Sequence, residues 1–441
     1  MKKYLGFFRE LYFKIINSIA FYPSLIASVF LAFAIAMMWA EYTKPLMDLK
    51  DKIDFLLVAD KETAKSVLTT LVASLISLTV FSFSMVMVVL NTASANLSPR
   101  VLPGLVSKKA HQVVLGFYLG SIIYCLVLII NVQKNEETYR TPTLGVLLAM
   151  IFGIMCLALF VYFIESISRT IQTDNVLNQI FKQTLRHLEK WKLNNQNDNT
   201  SLPDRKDWTY IYSTKNGYYK SMAENRLSKL LQKHDLQLYV RVTKGTFTVK
   251  GFPLLSVSRD ISNDEELIEE ILSHFTFYVE EYTTDHYSYG FRQISQVAIK
   301  ALSPGINDPG TAIRAIDMLS ILFIEKTNIP DFGFYNNEEE NITNIFYKEY
   351  SFEDLLYEML APIRTYGHSD ALVMLNLIEA CKNMMYADKL NENCKHVIGA
   401  FVKAIIQDAE EYISNASDKE QINQSLQNLV EDTGLEVPSS I

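Results

Sequence analysis

The chain has 441 residues, 49% of them hydrophobic, and its 41 Lys and Arg against 49 Asp and Glu give a formal charge of −8. That length is too great for one small core, so two or more domains are expected. Residues 1–164 hold 14 basic and 9 acidic side chains, whereas residues 165–441 hold 27 and 40, and the acidic second part argues against nucleic acid as a partner.

Four long runs in the first part lack Asp, Glu, Lys and Arg: residues 15–40, 66–99, 110–133 and 141–164. About 20 apolar residues cross a hydrocarbon layer as a helix. Four such runs predict a polytopic α-helical membrane protein, with transmembrane helices over about 17–40, 66–92, 111–132 and 142–165 inside a domain spanning 1–175. Lys2, Lys3, Arg9 and Lys14 precede the first run as they would precede a secretory signal. Its apolar stretch is longer than a signal core and three further runs follow, so it is read as a retained helix. Basic residues in the N-terminal 14 positions and in the 100–109 loop favour both termini on the cytoplasmic side. The 41–65 loop points the other way, with five lysines among six acids. Tyr22, Trp39 and Tyr162 fall where interfacial aromatics are expected.

The second run is unusual. At 34 residues it would extend about 51 Å as a helix, well beyond a hydrocarbon thickness of about 30 Å. Thr70, Ser77, Ser84, Asn91 and Ser98 recur every seven residues, with Ser74 and Ala95 beside them. That spacing keeps them on one face of a supercoiled helix. Small and hydroxyl-bearing residues serve close helix packing, and the same weakly polar stripe suits the lining of a pore. Ionisable residues enter only at the end of span four, as Glu165 and Arg169, which favours a passive path over a proton-coupled pump. The four cysteines, Cys125, Cys156, Cys381 and Cys394, show no disulfide framework or zinc-ligand spacing. No metal or cofactor is expected.

Beyond span four, apolar residues from Ile167 to Leu188 keep helical spacing and predict an amphipathic helix, either continuous with the span or separate from it, within a 176–204 segment that ends in the polar linker NNQNDNTSLPD. Residues 205–260 alternate in WTYIYST and LQLYVRVTKGTFTVKGFPLLSVS, predicting a small α+β module with a turn at Lys244-Gly245. Residues 261–430 read as a helical cytoplasmic domain, with helices over 264–283, 290–302, 309–326, 351–364, 370–386 and 391–414. Ser262 and Glu265 form a capping-box pattern ahead of the first, NNEEEN at 336–341 reads as a loop, and 431–441 as a loose tail.

The stretch KALSPGINDPGTAIRAIDML, residues 300–319, breaks a helix and restarts it at once. Asp308 is a natural N-cap and Pro309 a natural first helical residue. The exposed amides of a new helix also favour anions. Arg292, Ser303, Gly305, Asn307, Asp308, Thr311 and Arg314 are therefore candidates for an anion or ligand site, set against a purely structural corner.

SPRVL after span two, HQVVLGFYLGSIIYCLVLI in span three, NGYYKSM, KGTFTVKGFPL and YGFRQISQVAIKALSPGINDPGTA together resemble the bacterial predicted-membrane-protein family known as domain of unknown function 2254. The resemblance covers nearly the whole chain. It implies four membrane spans followed by a soluble C-terminal domain, and brings no activity or site residues.

Three functions compete. One is a homo-oligomeric channel passing small ions, with span two lining the pore through Thr70, Ser77, Ser84, Asn91 and Ser98. Another is a membrane-anchored sensor or scaffold that binds an anion or protein partner through its helical domain. An enzyme is the third: Asp285, His286 and Ser288, or His368 and Asp370, offer polar groups in proximity. No Gly-x-Ser-x-Gly elbow, phosphate loop or zinc-helix motif accompanies them, so no catalysis is expected.

Overall fold

A computed structural model describes residues 20–41, 43–58, 60–96, 109–133, 142–194, 201–278, 286–337 and 342–440. It contains two compact units, Met1–Ala95 with Val101–Asn175 and Asn96–Arg100 with Val176–Ile441. Ser98 and Asp285 lie outside the described residues.

The first unit is helical: α1 (Phe21–Ala40), α2 (Lys44–Lys52), α3 (Lys61–Asn96), α4 (Lys109–Gln133) and α5 (Thr143–Ile171). Four of these are long and apolar enough to cross a membrane, over Phe21–Ala40, Lys61–Thr92, Lys109–Val132 and Thr143–Arg169. They fall on the four runs of the sequence. At the centre α4 lies against α1 and α5. Its glycines make the first contact close: a Cβ on Gly116 would stand 2.8 Å from Ile26 Cδ1, and one on Gly120 would stand 2.7 Å from the Phe30 ring. Four residues apart, they form the small-xxx-small face that lets membrane helices approach. Around this seam Phe30, Ala34, Tyr124, Leu128, Val146 and Ala149 build one buried cluster, which Ala64 and Leu68 of α3 join.

Polar clasps sit at both ends of the bundle. At one end Glu41, just past α1 and 1% exposed, accepts from the amides of Leu144 (3.0 Å) and Gly145 (3.2 Å). Those amides are orphan donors at the N-terminus of α5, where a carboxylate also complements the helix dipole. Lys50 closes the clasp with an ion pair to Glu41 of 2.5 Å. At the other end the His111 Nε2 of α4 meets the Ser166 hydroxyl of α5 at 3.1 Å.

The expected amphipathic helix is α6 (Thr173–Asn194), but it does not continue span four. Gln172 has extended backbone (φ −66°, ψ 116°) and ends α5. The second unit then mixes sheet and helix. A five-stranded sheet has the order β1 (Thr209–Tyr212), β5 (Pro253–Val257), β3 (Leu238–Val240), β8 (Ile342–Lys348) and β7 (Phe332–Asn337). Among the described residues, β3 and β8 are the only parallel neighbours. A second sheet orders β4 (Phe247–Thr248), β2 (Gly217–Met222) and β6 (Phe275–Tyr278). With α7 (Glu224–Lys233) and α8 (Glu265–Ser273), the two sheets enclose a core of Leu227, Leu231, Leu238, Leu255, Ile271, Phe275 and Ile345.

Three local expectations change here. The helix read over 264–283 stops at Ser273 and gives way to β6, which pairs with β2. Its N-cap is Asp264, accepting from the Leu267 amide, while Ser262 bonds to Asp260 instead. Gly245 does take the turn conformation, at φ +88°, but it joins strands of different sheets rather than a hairpin.

The rest is helical: α9 (Tyr287–Ala301), α10 (Pro309–Lys326), α11 (Phe352–Gly367), α12 (Ala371–Met385), α13 (Glu392–Tyr412) and α14 (Ala416–Thr433). Side-chain caps fix most of their starts. Ser351, Asp370, Asn391 and Asn415 each accept from an amide of the first turn. Gly434, at φ +67°, terminates α14 in the left-handed conformation that suits glycine.

The α1–α4 seam predicts a large effect of a small change. Gly120→Ile drives a branched side chain into Phe30 and should destabilise the membrane unit by roughly 1–3 kcal/mol, the usual range for overpacking. Thermal unfolding in detergent should show a lowered midpoint, whereas Leu119→Ile, at a position 40% exposed, should leave it nearly unchanged.

Candidate functional site

Span two begins on a firm local cap. Asp60 accepts from the Thr63 amide at 2.7 Å and from its hydroxyl at 2.5 Å. Those hydrogen bonds hold the Asp60 carboxyl below its ordinary pKa. From there α3 runs 36 residues. It is the least covered of the four spans, with 11% of its apolar window buried against 44% for α4. One side carries Ala64, Leu68, Leu75 and Ser82 into the unit.

Thr70, Ser74, Ser77, Ser84 and Asn91 all lie on exposed positions of α3. The heptad stripe is therefore not spent on packing within one copy. Ser77 bonds back to the Ala73 carbonyl at 3.0 Å, and Thr79 and Thr92 do the same one turn behind themselves. These hydroxyls are satisfied by their own helix, as serine and threonine commonly are in apolar surroundings. At mid-helix the stripe borders a groove of about 530 Å³ between α3 and α5, lined by Ser74, Ser77, Leu78, Phe81, Leu157 and Phe160. Four apolar side chains to two hydroxyls make this groove a seat for a helix face or a lipid chain more than for water.

The 300–319 corner has the punctuation its sequence predicts. Asp308 caps α10, accepting from the Thr311 amide at 3.1 Å and from its hydroxyl at 2.6 Å, with Pro309 in the first turn. The Asp308 carboxylate thus occupies the place an anion would take at this helix start. Ser303 donates to the Lys300 carbonyl at 2.6 Å, and Asn307 takes φ +49° in the turn. A Cβ on Gly305 would meet nothing within 4 Å. Arg292 is engaged elsewhere, 3.3 Å from Glu358 and 3.5 Å from the Tyr350 hydroxyl. Arg314 lies half-buried on the second turn of α10.

His286 and Ser288 do come together, with a partner that sequence distance conceals. His286 Nδ1 is 2.8 Å from the Ser288 hydroxyl, and Nε2 is 3.2 Å from Glu349, 63 residues away. The order matches a Ser–His–acid relay, yet Ser288 is 2% exposed and its amide also donates to Nδ1 at 3.3 Å. The ring caps α9. Glu349, itself 2% exposed, further accepts from Tyr287 (2.6 Å) and from the indole N–H of Trp191 on α6 (3.2 Å). It ties α6, α9 and the end of β8 together. His368 and Asp370 are not a pair: Asp370 caps α12, and the His368 ring stacks 3.9 Å from Tyr412.

The chain also matches known sequences. The family model described as predicted membrane protein (DUF2254) covers residues 16–383. An uncharacterized protein of Mycobacterium bovis and one of Mycobacterium tuberculosis strain H37Rv are each 23% identical over 328 residues, which is 72% of this chain and 62% of theirs. The chain thus spans about three-fifths of the length of these relatives. No solved structure matches it.

The Glu349 network predicts a pH dependence. Burial raises the pKa of Glu349, but His286 and the Tyr287 hydroxyl outweigh it and take the group from an ordinary 4.5 down to about 2. A depressed acid contributes stability that is complete above pH 4.5 and is lost as pH falls towards 2. The loss should be on the order of 3 kcal/mol across that window. Glu349→Gln should lower the denaturant midpoint at neutral pH and flatten its decline on acidification, read by Trp fluorescence.

Proposed function

The chain belongs to the DUF2254 family of predicted membrane proteins, and we propose that it works as a homo-oligomeric, channel-like assembly in which α3 faces a shared axis. The carrying observation is the combination on one helix of least coverage and a seven-residue polar repeat, Thr70, Ser77, Ser84 and Asn91, left exposed by the single copy. An ideal helix drifts about 20° per heptad, so a stripe kept at seven-residue spacing faces a partner only when the helices supercoil. Copies of α3 wound about one axis would satisfy that spacing and cover the apolar residues beside it. The groove holding Ser77 and Phe81 would then accept the neighbouring copy. Weakly polar side chains, Ser77 among them bonded back to the Ala73 carbonyl, would line the path without holding an ion tightly. In this reading the bundle sits in the inner membrane of a bacterium with both termini in the cytoplasm, and the second unit regulates the path from that side.

Two measurements test it separately. All four native cysteines are buried, so Ser84→Cys should dominate oxidative cross-linking in membranes and yield dimers; Val161→Cys, on exposed α5, should not. Reconstituted wild-type protein should conduct in a planar bilayer, and Ser84→Trp should reduce the single-channel current severalfold. Cross-linking without conductance at any voltage, tension or pH would keep the assembly and end the channel.

A further inference from the structure

One face of the five-stranded sheet, where Tyr239, Phe334 and Phe346 form a small buried cluster, carries a feature that the membrane unit does not explain. Register places Tyr210, Ser256, Tyr239, Phe346 and Phe334 in one row across β1, β5, β3, β8 and β7. The opposite face is core, through Ile211, Leu255, Leu238 and Ile345. Residues 203–206, ahead of β1, border an open cleft of about 490 Å³ with Tyr239, Arg241 and Lys348. Arg241 and Lys348 each stand one residue beyond the paired Val240 and Tyr347, at the carboxyl ends of the parallel pair β3 and β8.

Four cations line this cleft, Arg205, Lys206, Arg241 and Lys348, with one acid, Asp204. Asp204 leans towards Lys206 at 3.8 Å, both largely exposed. Among the described residues no carboxylate lies within ion-pair distance of Arg205, Arg241 or Lys348. This is unexpected in a region with 40 acidic against 27 basic residues. The two arginines also sit over aromatic rings: the Arg205 guanidinium lies 3.8 Å from the centre of the Tyr239 ring and that of Arg241 4.5 Å from Tyr210. Such a cation–π contact positions a guanidinium without neutralising its charge. The hydroxyl of Ser256, in the row between those tyrosines, is buried with no hydrogen-bond partner.

Converging, unneutralised and pre-oriented donors suit a group with several anionic oxygens, and the volume takes a ligand of nucleotide size. We propose that this cleft binds a multiply charged phosphate group, with Arg205 and Arg241 as the orienting forks and Lys206 and Lys348 as point charges. The site is separate from the 303–314 corner and stands whether or not α3 lines a pore.

The test uses the full chain in zwitterionic nanodiscs, titrated calorimetrically with pyrophosphate and with ATP. Saturable binding should weaken about tenfold or more in Arg241→Gln and in the exposed-site variant Lys348→Gln, as expected for a lost charge-assisted contact, and should weaken with added salt. Lys395→Gln, which removes one charge on α13, should bind as wild type. In discs containing phosphatidic acid, a rise in thermal midpoint that Lys348→Gln abolishes would identify a lipid headgroup as the source; binding of the soluble ligands without that rise would identify a free one. Either supports the site. No binding to soluble phosphates together with no Lys348-dependent rise, or binding that both cleft variants leave intact, overturns it.

Discussion

The membrane unit depends on how closely α4 can lie against α1. Gly116 and Gly120 remove the side chains that would hold the backbones apart, and Ile26 and Phe30 fill the space they leave. In hydrocarbon, where burying apolar surface brings little gain, this kind of contact supplies much of the association between helices. One consequence falls on α3. With α4 committed to α1 and α5, the longest helix shares only one side with the cluster and presents the rest of its length outward. Lipid can cover Ile76, Val80 and Val88 on that side; in the assembly proposed above, Ser77, Ser84 and Asn91 would instead meet another copy.

The clasps at the bundle ends work on the same principle of satisfying what the hydrocarbon cannot. Glu41 meets two orphan amides at the start of α5 and is itself met by Lys50. A buried carboxylate without those partners would be costly. With them it fixes the relative height of α1 and α5, since moving either by a turn would strand both the charge and the amides. The membrane unit is thus pinned lengthwise by polar contacts and laterally by glycine.

Much of this was legible in the sequence where the signal was local. Uncharged runs located the spans; Asp308-Pro309 announced a helix start; the seven-residue repeat on α3 was visible as spacing alone. What failed depended on partners far along the chain. Glu41 counts as one more acid in a mixed loop until Leu144 arrives 103 residues later. Strands β6, β7 and β8 sit in a stretch whose neighbours are helical, and their pairing is settled by partners such as Leu238 for Ile345 and Tyr219 for Phe277. The His286 and Ser288 pair is local, but its acid, Glu349, is not. Gly116 and Gly120 were readable as a spacing; their role became clear only with Phe30 and Ile26 opposite them.

The same contrast separates two candidate anion sites. At the 303–314 corner the sequence offers a helix start, glycines and two arginines, yet Asp308 satisfies the helix start itself and Arg292 pairs with Glu358. Both of these features are used internally. On the sheet face the charges come from three separated segments, 203–206, 241 and 348, so no motif marks them. There the internal partners of the arginines are tyrosine rings, which hold a cation in place and leave its charge unspent. Folding gains nothing evident from gathering four cations with a single acid, since their mutual repulsion opposes it. An arrangement that costs stability and keeps its donors oriented is better accounted for by what it meets from outside than by what it holds together within.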